Sequence, residues 1–141
     1  MHNPIFSNHY ILIQFILIAL AAGFIALTFL QSGLDKIFDY EGNLKWMSEQ
    51  FSKTFLNGTI GIFLPVLAAC ELVSGLLCTI GIAQFFLRKG EWILTLGFAT
   101  SGLTLLMLLF GQRISKQYAG AVSLTGYFII VLIGLIAELL I

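Results

Sequence analysis

Charge is scarce in this chain. Seven Lys+Arg and seven Asp+Glu among 141 residues make it 10% charged, against roughly a quarter in a soluble globular domain. With 59% hydrophobic residues and thirteen Phe, no soluble core of this length would absorb the apolar side chains, so the solvent must be lipid. The formal net charge is zero, which removes the basic surface that nucleic-acid binding needs. Cysteine is limited to Cys70 and Cys78; on one helix they stand about 12 Å apart along the axis, too far to bridge. With no CxxC present, thiol–disulfide exchange through an internal pair is excluded. The two histidines, His2 and His9, both precede the first apolar run. No intramembrane pair exists to ligate a haem, and metal-ligand spacing is absent. Asn57-Gly58-Thr59 fits a glycosylation sequon but abuts a span and carries no weight.

What is present is length enough for four membrane crossings at about twenty apolar residues each. They are expected at about residues 10–34, 59–87, 92–110 and 119–141, forming a single membrane domain of all-α class, an integral four-helix bundle. No Lys or Arg precedes the first span, and the span exceeds an ordinary signal core, so it reads as a retained helix. Arg88, Lys89, Gly90 and Glu91 form a turn so tight that spans two and three must be an antiparallel hairpin. Residues 111–118 form another short connection.

Only the first loop, residues 35–58, has room for structure of its own. Leu44, Met47, Phe51 and Phe55 fall on one helical face there, with Lys45, Glu49, Gln50 and Lys53 elsewhere. The pattern predicts a short amphipathic helix at the membrane surface, with Trp46 at headgroup level. It reads as an interfacial connector, or as a lid or docking surface over the bundle mouth.

Glu71 stands inside the second span, where an ionised carboxylate is expensive and normally faces protein or water rather than lipid. Stepping by four from it gives Gly75, Thr79 and Ala83, and the adjacent row gives Cys70, Ser74 and Cys78. Small residues at this spacing let helices approach closely in lipid, as do Ala19 with Gly23 and Gly97 with Ser101. The stripe is therefore expected to face the bundle or a partner, and Leu72, Val73 and Leu76 to face lipid. Helix packing explains the small residues but not the acid. Glu71 lies about 18 Å down its helix from the first loop. Its neutralisers are protonation, a hydrogen bond from Thr28, Gln31, Ser32 or Tyr127, or Lys36 reaching partway. A structural carboxyl group and a ligand or proton site are both open readings.

Ser32-Gly33-Leu34-Asp35-Lys36 closes span one, the amphipathic loop follows, and span two carries Pro65, then Glu71-x-x-x-Gly75 and Gly81. Together these resemble a DoxX-family membrane protein, most strongly over residues 28–81. The resemblance implies a four-helix bundle of the bacterial inner (cytoplasmic) membrane, in a family linked to redox systems, some members being small subunits of thiosulfate:quinone oxidoreductases. It places the family motif on Gly33, Lys36, Glu71 and Gly75, without assigning them catalytic roles.

Three functions are carried forward. The first is an auxiliary subunit of a quinone-linked or other membrane oxidoreductase, not catalytic alone. It would bind no cofactor through its own motifs but offer quinone or lipid an apolar slot anchored at Glu71. The second is a non-redox subunit that assembles or stabilises a larger membrane complex. The third is a small proton-linked transporter. Partners are the bilayer and other membrane subunits or further copies of the chain. Orientation stays open: loops one and three hold five Lys+Arg against two in loop two, which puts the termini outside, whereas the resemblance implies cytoplasmic termini.

Overall fold

A backbone that enters lipid must satisfy its own N–H and C=O groups, so apolar runs of this length become helices. The computed structural model describes residues 4–141 and shows five: α1 (Pro4–Phe38), α2 (Tyr40–Gln50), α3 (Ile60–Phe86), α4 (Trp92–Ile114) and α5 (Tyr118–Leu139). Among the described residues there is no strand. His2 lies outside them. Four helices are long and apolar enough to cross a membrane, and they form an up-down bundle with neighbours α1–α3, α3–α4, α4–α5 and α5–α1. Outward-facing side chains such as Leu20, Leu27, Leu103 and Val122 are exposed and contact the bilayer. The chain is a multi-pass membrane protein.

Two spans run further than their apolar residues suggest. α1 continues to Phe38 instead of stopping near residue 34, and α4 continues to Ile114 instead of residue 110. Asp35 and Lys36 are therefore helical, not loop residues. The break comes at Asp39, whose backbone leaves the helical region and whose side chain accepts a hydrogen bond from the Gly42 amide at 3.3 Å to cap α2.

α2 stops at Gln50, so Phe55 does not extend its apolar face. Hydroxyl groups compete with the helix here: Ser52 Oγ donates to the Glu49 carbonyl at 2.8 Å and Thr54 Oγ1 to the Phe51 carbonyl at 2.8 Å. Phe55 is exposed, while Phe51 is buried with Ile60 and Leu64 in a cluster that also takes Leu44, Met47 and Leu56. α2 thus packs on the bundle rather than lying free on the surface. The α3–α4 hairpin turns through Arg88 and Gly90, both at positive φ.

Glycine sets how near the helices come. A Cβ at Gly33 would stand 2.7 Å from Leu72 Cγ, one at Gly75 2.8 Å from Leu30 Cγ, and one at Gly97 2.9 Å from the Cys78 amide nitrogen. The first two contacts bring the last turns of α1 level with Ala68–Leu72 of α3, so the first two turns of α3 run past the end of α1. α2 folds across that step. The main core lies deeper, around Ile18, Ala22, Ile25, Phe29, Leu94, Phe98, Leu105 and Val131.

The interior stripe of α3 departs from a strict four-residue row. Gly75, Ser74 and Cys78 are buried, as are Gly97 and Ser101 opposite, but Thr79 and Ala83 are exposed. Each step of four advances about 40° around a helix of 3.6 residues per turn, so by Thr79 and Ala83 the row has rotated out of the interface. The buried set moves by alternating threes and fours: Glu71, Ser74 and Gly75, Cys78, Gly81, Phe85. Val73 and Leu76 face outward, whereas Leu72 is half-buried over Gly33.

Candidate functional site

Ser32 and Lys36 are four residues apart on α1 and so share one helical face. With Gly33 allowing close approach, that face meets Glu71 of α3. Lys36 Nζ lies 2.9 Å from Glu71 Oε2 and 3.2 Å from Oε1. It also donates to Ser32 Oγ at 2.8 Å and to the Ser32 carbonyl at 3.4 Å. Ser32 Oγ donates to Glu71 Oε1 at 3.2 Å. The carboxylate is 1% exposed and the lysine side chain 13%, so the charges neutralise each other inside the protein. Lys36 reaches Glu71 fully, not partway, because α1 stays helical and close to α3 through that turn. Of the other expected partners, Thr28 and Tyr127 line the adjoining cavity without bonding the acid, and Gln31 is exposed.

The two carboxylate oxygens differ. Oε1 accepts from both Lys36 and Ser32. Oε2 is paired with the Lys36 ammonium alone, 2.9 Å from Nζ.

The triad forms one wall of a cavity of ≈ 400 Å³ at the α2 end of the bundle, within the roughly 300–1,000 Å³ of small-molecule sites. Phe29, Leu67, Met107, Leu108 and Leu124 supply apolar walls, and α2 covers the site with Asn43, Trp46, Met47 and Gln50. Those four recur at i, i+3, i+4 and i+7, one face of a helix. Trp46 is thus placed at the cavity as well as half exposed, at 53%. Gln112 of α4 also lines the cavity, and its Oε1 is buried without a donor.

The structure therefore joins Glu71 and Lys36 but sets Gly33 and Gly75 apart from the cavity lining as helix spacers. Ser74, Cys78, Gly97 and Ser101 lie at the α3–α4 contact, where Ser74 and Thr104 hydroxyls are 3.2 Å apart and Ser101 Oγ donates to the Gly97 carbonyl at 2.6 Å. The polar face of α2 is not marked by apolar periodicity; its signal in the sequence is Asn43 and Gln50 flanking Trp46 and Met47 at helical spacing. A second acid, Glu138 in the last turn of α5, is half-buried, with both carboxylate oxygens enclosed. Among the described residues, no group of His, Cys, Asp or Glu has the arrangement to hold a metal.

The family model described as DoxX matches residues 17–111, a stretch holding Ser32, Lys36, Glu71 and all of α2. No curated protein and no solved structure gives a significant match.

Proposed function

The chain belongs to the DoxX family, and from that premise we propose that it is a noncatalytic subunit of a quinone-linked oxidoreductase in the bacterial inner membrane. Its cavity holds the headgroup of a quinone-class molecule or lipid. The carrying observation is the neutralised Lys36–Ser32–Glu71 triad on the wall of an otherwise apolar cavity at one end of the bundle. An ion pair buried in lipid is costly to desolvate, and bordering it with a ligand-sized space is what a headgroup site requires. The redox assignment rests on the sequence resemblance, which links this family to redox systems. A partner would hold the redox centre, since no histidine pair lies within the spans to ligate a haem and Cys70 and Cys78 stand too far apart on one helix to bridge.

The test is purification in mild detergent, with bound quinone and copurifying subunits measured for wild type, Glu71→Gln and Glu71→Leu. Glu71→Gln keeps the shape and is expected to fold yet retain several-fold less ligand. Glu71→Leu strands the Lys36 ammonium and is expected to impair assembly. Ligand retained at wild-type levels in Glu71→Gln, with partners lost, would move the assignment to the non-redox assembly subunit.

A further inference from the structure

The cavity is covered toward water and open toward lipid. On the water side α2 lies across it with Asn43, Trp46, Met47 and Gln50, and the end of α2 is joined to the α4–α5 turn by a hydrogen bond from Gln117 Nε2 to Gln50 Oε1. Beneath that end Phe51 is buried with Ile60 and Leu64, and Ile114 packs on the cluster. The wall facing the bilayer is thinner. Phe63 of α3 and Met107 and Phe110 of α4 line the cavity, yet they are 44%, 41% and 59% exposed. The space therefore reaches the outer surface of the bundle between these two helices. Side-chain size along the seam explains the gap. Deep in the bundle α3 and α4 meet through Gly81 against Leu94 and Gly97 against Cys78, and then through the Ser74 and Thr104 hydroxyls. Toward the α2 end the small residues give way to Phe63, Leu67, Met107 and Phe110, and bulkier side chains set helix axes further apart. All four are apolar. Phe110 stands about 4.5 Å along α4 before Arg113, so the opening lies beneath the headgroup level, in hydrocarbon.

We propose that this opening is a lateral portal through which a single-tailed, bilayer-dissolved ligand of the quinone class enters, its ring inside the cavity and its tail leaving past Phe63, Met107 and Phe110 into the surrounding hydrocarbon. This deepens the ligand-site reading above and rests on it. Entry from the side spares an apolar molecule the passage through water and past the polar outer face of α2. The tail exchanges lipid for apolar side chains and then lipid again, so no hydrophobic term opposes a longer tail once it has cleared the mouth. A sealed cavity of ≈ 400 Å³ would instead limit the tail it could hold.

The experiment uses the full chain in phosphatidylcholine nanodiscs. Trp46 lines the cavity, and Trp92 begins α4 at the opposite end of the bundle. In a Trp92→Phe background, saturable quenching of Trp46 fluorescence therefore reports a quinone in the cavity. The probes are a tail-less ubiquinone ring, decylubiquinone and full-length prenylated ubiquinone, with affinities referred to mole fraction in the bilayer. The two tailed quinones are expected to agree within about threefold. Met107→Trp places an indole in the mouth and should weaken both by about tenfold or more. It should leave the tail-less ring within about threefold, because that ring needs the cavity but not an open mouth at equilibrium. Leu103→Trp, on an exposed site one turn further from the mouth, should change none of the three. Full-length ubiquinone binding about tenfold more weakly than decylubiquinone would mean a sealed cavity and overturns the portal, while leaving the ligand site in place. An equal loss of ring and tailed quinones in Met107→Trp also overturns it. Saturable quenching by none of the probes overturns the ligand-site reading itself, and the portal with it. The tail-length comparison does not need the Met107 variant, so it decides the matter even if Met107→Trp does not fold.

Discussion

Removing either partner of the Lys36–Glu71 pair leaves the other charged and buried beside apolar walls. Such losses cost about 3–5 kcal/mol, whereas replacing both partners by apolar side chains is often neutral. Lys36→Met and Glu71→Met are each expected to lower the thermal stability of the detergent-solubilised protein sharply. The double variant should recover most of the loss. The check is a double-mutant cycle from unfolding midpoints; additive losses would show that the two groups do not interact. The acid was recognisable from the sequence, since one carboxylate deep in an apolar run has few innocent explanations. Its partner was harder to place. Lys36 looks like a loop residue as long as span one is taken to end where the apolar residues end, and only the continuation of α1 to Phe38 carries its side chain to Glu71.

Close approach between helices depends on what a glycine faces, not on glycine alone. At Gly33 the nearest atoms to an added Cβ are Cγ and Cδ2 of the Leu72 side chain, 2.7 and 2.8 Å away; at Gly81 they are the Cα and N of Leu94, 2.6 and 2.8 Å away. A side chain can change rotamer, but a backbone cannot yield without moving its helix. Gly33→Ala is therefore expected to cost well under half of what Gly81→Ala costs. The latter should fall at or above about 1–3 kcal/mol, the range for overpacking. Parallel thermal melts give the ranking, and a Gly33→Ala loss as large as the Gly81→Ala loss would contradict it. The small-residue rule picked out Gly75 and Gly97 from spacing, yet the same rule extended to Thr79 and Ala83, which the geometry turns outward. A row of fours drifts around a straight helix, and sequence alone does not say after how many steps it leaves the contact. α2 shows the same limit: Leu44, Met47 and Phe51 were legible as an apolar face, but its end at Gln50 depends on the Ser52 and Thr54 hydroxyls.

For the molecule as a whole, four crossings put the cavity end and the α3–α4 turn on opposite membrane faces. α2, Arg113 and Lys116 gather at the cavity end, and Arg88 and Lys89 at the other. The span count was readable because hydropathy responds directly to bilayer thickness; orientation was not, because charge and family resemblance point in opposite directions. Accessibility decides it. Cysteine placed at exposed Glu41 in α2 and at Lys89 in the turn, with Cys70 and Cys78 replaced by serine and alanine, should react with a membrane-impermeant maleimide from opposite sides. The native Cys78 is fully buried, so its removal protects against reaction only after unfolding. Labelling of both positions from one side would require an even number of crossings between α2 and the turn, where the bundle has one, α3, and would refute the four-span bundle. With opposite labelling, the side on which Glu41→Cys reacts is the side to which α2 and the cavity beneath it belong.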